Sequence, residues 1–302
     1  MRKISILVLT KNEAANIEAC LAGIFSQRCE GVLEVIVIDS GSTDSTIEIA
    51  ARFPVRIERI CPEKFHHAKT RNYAASLASG DILVYLAADA RPASSTWLSS
   101  LLSNFADKSV GAVYGRHLPK PGCSAERRAV LAAVYGDAKL IKEPSRRSEL
   151  GYHYYHFSTV NAALRRELWQ RMPFPEDLKV FEDVGIAKRI LDSGQSIVYE
   201  PAATVYHSHN HTTIGLFKRY FDAGVTWRRL EIWDSVIKKS LFREGWRLIV
   251  RKLGPKRKDA APVSRGAISQ HVAKYAGLLL GLNEYLLPCS IKRHFSAFGL
   301  FD

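Results

Sequence analysis

Cysteine is scarce in this chain of 302 residues, and its placement excludes two classes of protein. The five cysteines are scattered, form no CxxC pair and are odd in number. A disulfide framework requires paired cysteines, and a zinc knuckle requires closely spaced ones. We therefore expect neither, and a reducing compartment such as the cytosol is the simplest setting.

Long hydrophobic runs are also missing. The N-terminal apolar segment extends only from Ile4 to Leu9, and the longest late one extends from Tyr275 to Leu282. A secretory signal needs a longer apolar core and a cleavage site, and a spanning helix needs about 18 apolar residues. We expect a soluble or peripheral protein with no signal peptide and no membrane-spanning helix.

Acidic residues are fewer than basic ones, and the imbalance is local. The chain has 43 lysines and arginines against 30 aspartates and glutamates, a net charge of +13. Residues 218–302 contain 17 of the basic and 7 of the acidic residues, so they carry +10 of that charge. A surplus of this size predicts an anionic partner such as nucleic acid, a phosphorylated ligand or a membrane surface. We expect a nearly neutral domain over residues 1–217 and a basic, largely helical region over residues 218–302.

What the sequence does contain is a regular alternation of strand and helix patterns. Short β-branched apolar runs, typical of strands buried on both faces, alternate with segments whose apolar residues recur at helical spacing. This alternation indicates βαβ crossovers and predicts an α/β fold with a mostly parallel central sheet flanked by helices. The predicted strands are residues 4–9, 32–38, 55–60 and 82–86, and the predicted helices are residues 14–27, 45–52 and 70–78.

The pattern is looser in the second half of this region. Residues 117–150 contain a predicted helix over 125–141 and otherwise have the composition of a flap or insertion. A helix is predicted over residues 181–191, followed by separate strands over 196–199 and 204–207.

Polar residues cluster where the predicted strands end. Thr10, Asn12 and Glu13 follow the first strand, Asp39 ends the second and Asp89 follows the fourth. Because ligands of open α/β sheets bind beyond the carboxyl ends of the strands, these side chains should line one cleft. For the turn that ends at Asp44, helix capping is the alternative explanation.

Five segments occur in an order that resembles the motifs of family 2 glycosyltransferases with the GT-A fold. The resemblance covers about residues 3–222, and residues 65–72, 207–209 and 217–224 are most similar to the rhamnosyltransferase branch. The five segments are Ile6-Leu-Val-Leu-Thr-Lys-Asn-Glu13, Asp39-Ser-Gly-Ser-Thr-Asp44, Thr70-Arg71-Asn72, Ala87-Ala88-Asp89 and Phe181-Glu182-Asp183.

The resemblance implies a site for a nucleotide-sugar donor in residues 1–217. An aspartate in such a site can accept the N3–H of a pyrimidine. Arg71, predicted near the start of a helix, would hold phosphate oxygens, although a surface arginine is the alternative. For Glu13 the alternative is an acid in the first turn of a helix. The implied donor-binding residues are Thr10, Asn12, Glu13, Asp39, His67, Arg71, Asn72, Ala88 and Asp89.

By the same resemblance, Asp89 is the last aspartate of the DxD motif, which holds a divalent cation, Mn²⁺ or Mg²⁺. The first aspartate is replaced here by Ala87. If residues 205–211 are extended, His207, His209 and His211 share one face, and we expect His207 and then His209 as further ligands. A zinc site of three histidines and histidines without metal are the alternatives. Imidazole beside a carboxylate favours Mn²⁺.

Glu182 and Asp183 begin a predicted helix, where side chains of adjacent residues diverge by about 100°. The resemblance implies that Asp183 is the general base and that Glu182 orients the acceptor or a nearby loop. Both acids could instead complement the helix dipole. A carboxylate base that deprotonates the acceptor hydroxyl implies a single inverting displacement.

Taken together, these features predict an enzyme that moves rhamnose from dTDP-rhamnose to a glycan or lipid-linked acceptor in cell-surface polysaccharide assembly. A UDP- or GDP-sugar donor is one alternative, and a non-catalytic nucleotide-sugar-binding protein at the membrane is another.

Aromatic residues accompany the basic ones in the C-terminal region. A predicted helix over residues 230–253 mixes apolar and basic residues, as helices at membrane interfaces do. We expect peripheral attachment to the anionic inner face of the cell membrane. A packed helical appendage is the alternative, and the absence of any nucleic-acid reader motif argues against that partner. The aromatic residues are Trp227, Trp233, Phe242, Trp246 and Tyr275.

Overall fold

The computed structural model describes residues 3–28, 31–234, 236–241, 243 and 265–302. The chain divides into two compact units. The first comprises residues 1–144, 156–177 and 182–209, and the second comprises residues 145–155, 178–181 and 210–302.

A sheet of nine strands, counted over the described residues, forms the centre of the first unit. The order along the sheet is β3-β2-β1-β4-β8-β6-β9-β5, and β7 pairs with β9. The strands are β1 Lys3–Thr10, β2 Val32–Asp39, β3 Arg56–Arg59, β4 Ile82–Ala87, β5 Arg91–Pro92, β6 Val110–Leu118, β7 Leu140–Lys142, β8 Asn161–Arg165 and β9 Ser196–Tyr206.

The sheet is parallel where βαβ alternation predicts it and mixed elsewhere. Strands β1 to β4 pair in parallel. Strand β8 is antiparallel to both of its neighbours, β4 and β6, while β6 and β9 are again parallel. The parallel part therefore brings the carboxyl ends of β1, β2 and β4 to one edge, as the sequence pattern requires.

Helices cover this sheet and bury its apolar side chains. In α1, Ile17, Leu21 and Ile24 recur at helical spacing and pack in the same core as Ile6 and Val8 of β1. Each such side chain contributes about 1.5–3 kcal/mol when fully buried. The helices of the first unit are α1 Ile17–Phe25, α2 Thr46–Ala50, α3 His67–Leu77, α4 Trp97–Ser103, α5 Ala125–Val134, α7 Arg166–Arg171 and α8 Glu182–Asp192.

Helix α3 begins three residues earlier than predicted. His66 caps it, because its Nδ1 accepts a hydrogen bond from the backbone N–H of Lys69 at 3.4 Å. His67 is therefore in the first turn rather than in a loop, and Arg71 lies in the second turn rather than at the N-terminus.

Two other predicted elements differ in the structure. The predicted helix over residues 125–141 ends at Val134, and residues 140–142 form strand β7 at the side of β9. The predicted strands 196–199 and 204–207 are one strand, β9, whose pairing with β6 shifts register after Gly115. An irregularity of this kind interrupts the period-2 pattern in the sequence without ending the strand.

In the second unit, two long helices pack against each other. They are α9, Thr213–Arg229, and α10, Arg265–Leu282. The unit also contains α6 Arg147–Leu150 and α11 Cys289–Phe295. The predicted domain boundary after residue 217 lies inside α9, whereas the compact units divide after His209.

Part of the predicted interfacial helix lies outside the described residues, including Phe242 and Trp246. Trp227 and Trp233 pack against a small apolar cluster formed by Ala223, Leu278 and Leu282. This packing is what the alternative of a packed appendage predicts for these two side chains. No helix within the described residues combines the length and hydropathy needed to cross a membrane.

Candidate active site

The carboxyl ends of β1 and β2 meet as predicted. Thr10 and Asp39 are register partners, and the backbone carbonyl of Thr10 accepts hydrogen bonds from both the backbone N–H and the Oγ of Ser40. Both predicted residues are buried, and the Oγ1 of Thr10 has no hydrogen-bond partner among the described residues.

Hydrogen bonds join the loops that follow these two strands into one structure. Asn12 adopts a left-handed conformation with φ of 53°, and its Oδ1 accepts the backbone N–H of Thr43 at 2.8 Å. The Oγ of Ser42 accepts the N–H of Asn12 at 2.8 Å and donates to Asp39 at 2.5 Å. Asp39 is thereby held in a fixed orientation at the edge of the sheet.

Asp44 and Glu13 connect the same loops to the helices behind them. The carboxylate of Asp44 accepts hydrogen bonds from the backbone N–H groups of Thr46 and Ala14. Asp44 thus stabilises the turn before α2, whose N-cap residue is Ser45. Glu13 precedes α1, which begins at Ile17, so it is not an acid in the first turn of that helix. Burial raises the pKa of Glu13, and the nearby charge of Asp89 acts in the same direction.

Asp89, His207 and His209 come together as predicted. The Nε2 atom of His209 is 3.1 Å from the Oδ2 of Asp89 and 3.1 Å from the Nε2 of His207, which is 3.5 Å from the Oδ1 of Asp89. One ligand atom from each residue lies within 4.8 Å of the others. Among the described residues, this is the group of three possible ligands close enough to hold one metal ion. It includes Asp89 but not His211. It therefore does not support a zinc site of three histidines.

The electrostatics of this cluster suit a divalent cation. Burial lowers the pKa of His207 to about 4, so its imidazole is neutral near pH 7 and can act as a ligand. Burial alone would raise the pKa of Asp89, but a hydrogen bond from His209 and the positive charge of Lys120 help to hold it well below its ordinary value. One carboxylate and two imidazoles form a donor set that fits Mn²⁺. Ala88 is buried in the turn beside Asp89.

The predicted catalytic acids occupy two different environments at the start of α8. Glu182 is buried and forms an ion pair with the guanidinium of Arg71. Asp183 is only partly buried, and its Oδ1 accepts the backbone N–H of Val184 at 2.8 Å. Burial and then the adjacent Glu182 carboxylate raise the pKa of Asp183 to about 7, while Arg71 opposes this shift.

The structure gives Arg71 a position different from the one predicted. Its Nη1 donates to the backbone carbonyl of His67 at 3.2 Å and to the carboxylate of Glu182. The guanidinium therefore pairs with Glu182, the first of the two predicted catalytic acids, and does not lie at the N-terminus of a helix. His67 itself packs edge-on against Phe65, with the ring centroids 4.9 Å apart.

The side chain of Asn72 makes hydrogen bonds within the protein. Its Oδ1 accepts hydrogen bonds from the indole of Trp169 and the backbone N–H of Phe174, both at 3.0 Å. Its Nδ2 donates to the carbonyl of Phe174 at 3.0 Å and to Glu176 at 2.9 Å. The side chain thereby makes four hydrogen bonds within the protein, which is its full capacity. Donor binding by Asn72 stays a prediction, and it would require one of these hydrogen bonds to be exchanged.

Sequence reasoning missed three residues beside the cluster of Asp89 and the histidines. The ammonium of Lys120 is 3.2 Å from the Oδ2 of Asp89. His117 packs edge-on against His207 and stacks on Tyr135 with ring centroids 4.3 Å apart. His117 and Lys120 lie at the end of β6, and the rule that polar residues at strand ends line the cleft would have found them.

The sequence of the chain matches that of a known protein family. Residues 5–172, more than half of the chain, match the family described as Glycosyl transferase family 2. The chain belongs to glycosyltransferase family 2. It is therefore a glycosyltransferase, and the predicted family and enzyme class are confirmed.

Two relatives match along nearly their whole length. The O-antigen chain rhamnosyltransferase WbaN of Salmonella anatum is 34% identical over 276 residues, which cover 91% of this chain and 87% of that protein. The O-antigen chain rhamnosyltransferase RfbN of Salmonella typhimurium is 31% identical over 268 residues, which cover 88% of this chain and 85% of that protein.

Solved structures confirm the GT-A fold. The mannosyltransferase PcManGT of Pyrobaculum calidifontis, solved with GDP-Man and Mn²⁺, superposes with a TM-score of 0.60 at 22% identity. That superposition covers 99% of this chain and 84% of that one. TarS of S. aureus, solved with UDP-GlcNAc, gives a TM-score of 0.58 at 16% identity over 99% of this chain and 88% of its own.

Proposed function

We propose that this glycosyltransferase moves rhamnose from dTDP-rhamnose to a glycan or lipid-linked glycan in cell-surface polysaccharide assembly, with inversion at the anomeric carbon. The observation that carries the choice of sugar is the match, over about nine tenths of the chain, to two proteins named as O-antigen chain rhamnosyltransferases. A UDP- or GDP-sugar remains the alternative donor, because the solved neighbours include complexes with GDP-Man and UDP-GlcNAc.

In this proposal the nucleotide binds at the ends of β1 and β2. Thr10 has an unpartnered Oγ1 among the described residues, and Asp39 is oriented by Ser42. The carboxylate of Asp39 accepts hydrogen bonds from the backbone N–H groups of Gly41 and Ser42 and from the Oγ of Ser42. A hydrogen bond from the N3–H of thymine would therefore replace or share one of these. Asn12 and Glu13 fix the neighbouring loop, so they would shape the pocket around the nucleotide.

Asp89, His207 and His209 would hold the divalent cation, Mn²⁺ or Mg²⁺. When bound, such a cation neutralises the negative charge of the leaving diphosphate. The neutral imidazole of His207 and the ionised carboxylate of Asp89 are in the protonation states that metal binding requires.

Asp183 would act as the general base. Its carboxylate would take the proton of the acceptor hydroxyl as that oxygen bonds to the anomeric carbon and the bond to the diphosphate oxygen breaks. Its raised pKa makes it a stronger base than an ordinary aspartate. Glu182, paired with Arg71, would fix the start of α8 that carries Asp183. One displacement at the anomeric carbon inverts its configuration.

The decisive experiment is a transfer assay with a panel of donors. The purified protein is incubated with Mn²⁺, a lipid-linked glycan acceptor and dTDP-rhamnose, UDP-glucose or GDP-mannose in parallel, and the product is analysed by NMR. We expect transfer from dTDP-rhamnose and an anomeric configuration opposite to that of the donor. Preferential transfer from another donor would overturn the choice of sugar, and a retained configuration would overturn the displacement mechanism.

We further propose that the enzyme works at the cytosolic face of the cell membrane, held there by its basic C-terminal region. The support is the concentration of +10 of the net charge in residues 218–302. Lipid-linked acceptors would be presented at that surface.

A further inference from the structure

The cluster proposed to hold the metal already contains a cation supplied by the chain. The Nζ of Lys120 is 3.2 Å from the Oδ2 of Asp89, the same oxygen that lies 3.1 Å from the Nε2 of His209. The side chains of Lys120 and Asp89 are 23% and 10% exposed, so their ion pair is screened less by water than a surface pair is. No part of the proposed reaction uses this lysine.

The backbone fixes the place from which Lys120 reaches the carboxylate. Strands β6 and β9 pair up to Leu118 and Tyr206. Beyond their ends, the N–H of His207 donates to the carbonyl of Leu118 at 2.9 Å, and the N–H of Lys120 donates to the Oγ of Ser208 at 3.0 Å. Ser208 lies between the two histidines of the cluster. The lysine and both imidazoles are therefore held by one continuous pair of backbone segments.

The charge of the cluster makes this lysine a competitor of the metal. Ala87 supplies no carboxylate, so Asp89 is the one acid in the three-ligand group that the described residues form. Two cations at one carboxylate oxygen repel each other strongly in a site partly shielded from water. A divalent cation that binds Asp89 must therefore displace the ammonium, whose flexible stem lets it move to the nearest new anion. In a donor complex that anion is the diphosphate.

We propose that Lys120 is a resident counter-cation: it neutralises Asp89 before the donor binds, competes there with the divalent cation, and contacts the diphosphate once metal and donor are bound. This inference rests on the proposed donor and metal site.

The test is Lys120→Met in the full chain, with two binding measurements. In the absence of nucleotide, titration with Mn²⁺ followed by electron paramagnetic resonance should give a dissociation constant about fivefold lower than in the parent, as expected for loss of one competing ion pair. With saturating Mn²⁺, calorimetry should show dTDP binding weakened about tenfold, a 1.4 kcal/mol change, and dTMP binding changed less than twofold. If the lysine had a merely structural role, its replacement would weaken the binding of Mn²⁺, dTDP and dTMP alike.

Two control variants accompany this test. Lys120→Arg keeps the charge and should not increase the affinity for Mn²⁺. Lys139→Met removes a lysine that pairs with a different carboxylate, that of Glu200, at 3.1 Å, and it should change neither the affinity for Mn²⁺ nor that for dTDP.

Three results would overturn the inference, and they differ in what they say of the proposed function. Unchanged or weaker Mn²⁺ binding by Lys120→Met, beside a parent that binds Mn²⁺, would overturn the inference alone. Equal weakening of dTDP and dTMP binding would do the same. Failure of the parent itself to bind Mn²⁺, with or without dTDP, would overturn the proposed metal site together with the inference.

Discussion

At the scale of single residues, the two acids of the Glu182-Asp183 pair differ because their surroundings differ. Glu182 is neutralised by Arg71, whereas Asp183 is partly buried beside a second carboxylate. Adjacent positions on a helix point in different directions, so one acid can face a guanidinium while the other stays available to a substrate. One acid is thus held in an ion pair, and the other is a carboxylate of raised pKa.

The raised pKa of Asp183, about 7, sets the expected pH dependence of transfer. A carboxylate accepts a proton only when it is ionised, so the rate should rise with pH up to about 7 and level off above it. Asp183→Asn removes the base, and we expect transfer to fall at least about 100-fold, with the residual rate independent of pH in this range. Binding of dTDP, measured by calorimetry, should change little.

Asp192→Asn is the matched control, because Asp192 lies at the other end of α8 and pairs with Lys188 on the surface. It should leave both the rate and the pH profile unchanged. Transfer by Asp183→Asn at the parental rate, or a parental profile that is flat across pH 7, would contradict the assignment of the base.

The residue-level predictions leave out contacts between residues that are distant in the sequence. Asp89, His207 and His209 lie together as the sequence predicts, since strand ends converge in an α/β sheet; that they bind a metal stays a prediction. The family resemblance implies phosphate binding by Arg71, whereas its guanidinium pairs with Glu182, 111 positions away in the sequence. Asn72 bonds to residues about a hundred positions away, and nothing in its local sequence indicates those bonds.

At the scale of elements, the parallel strands were predictable and the later ones less so. Strands β1, β2 and β4 contain continuous apolar runs, which are typical of buried parallel strands. The sequence pattern predicts two strands in place of β9. The register of β9 against β6 shifts between Glu200 and Thr204, and this shift interrupts the alternation of apolar and polar residues. The sequence pattern predicts helix where strand β7 lies, because a three-residue strand is too short to carry a pattern of its own.

Helices α9 and α10 depend on glycine for their close contact. A Cβ on Gly281 would lie 1.9 Å from the backbone oxygen of Phe221, and one on Gly277 would lie 2.2 Å from that of Phe217. Backbone atoms cannot move aside as flexible side chains do, so a methyl group at either position must separate the helices.

We therefore expect Gly281→Ala to destabilise the protein by about 1–3 kcal/mol, the usual cost of overpacking, even though alanine favours a helix more than glycine does. Urea unfolding followed by tryptophan fluorescence measures this, since Trp227 and Trp233 pack in the same unit. Gly136→Ala is the control, because nothing lies within 4 Å of a Cβ at that position. Equal stability of the two variants would show that the helices do not require the close contact.

At the scale of the whole molecule, charge separates the two ends of the chain. The family motifs lie in residues 1–217, whose net charge is small, and the donor would be bound there by specific side chains rather than by a general positive charge. The basic surplus lies in residues 218–302, where some charges are already paired: Arg228 and Lys292 both contact Glu284. A dense group of five basic residues lies between positions 251 and 258 of the sequence, outside the described residues.

If this group attracts the enzyme to an anionic membrane, its neutralisation should release the enzyme. Each basic residue near such a surface contributes about 1 kcal/mol. Replacing Lys256, Arg257 and Lys258 by glutamine lowers the net charge from +13 to +10, and we expect sedimentation with phosphatidylserine-containing vesicles to fall by at least tenfold in affinity. Binding by the parent should also weaken with added salt, because the attraction is screened.

The matched control changes the same number of charges elsewhere. Arg52, Lys108 and Arg171 are exposed in the first unit, and their replacement by glutamine also gives a net charge of +10. If overall charge alone governed attachment, both triple variants would bind equally weakly, whereas attachment through the C-terminal region requires that the control bind as the parent does. Failure of the parent to sediment with anionic vesicles would leave the C-terminal region as a packed appendage, a role that the contacts of Trp227 and Trp233 already support.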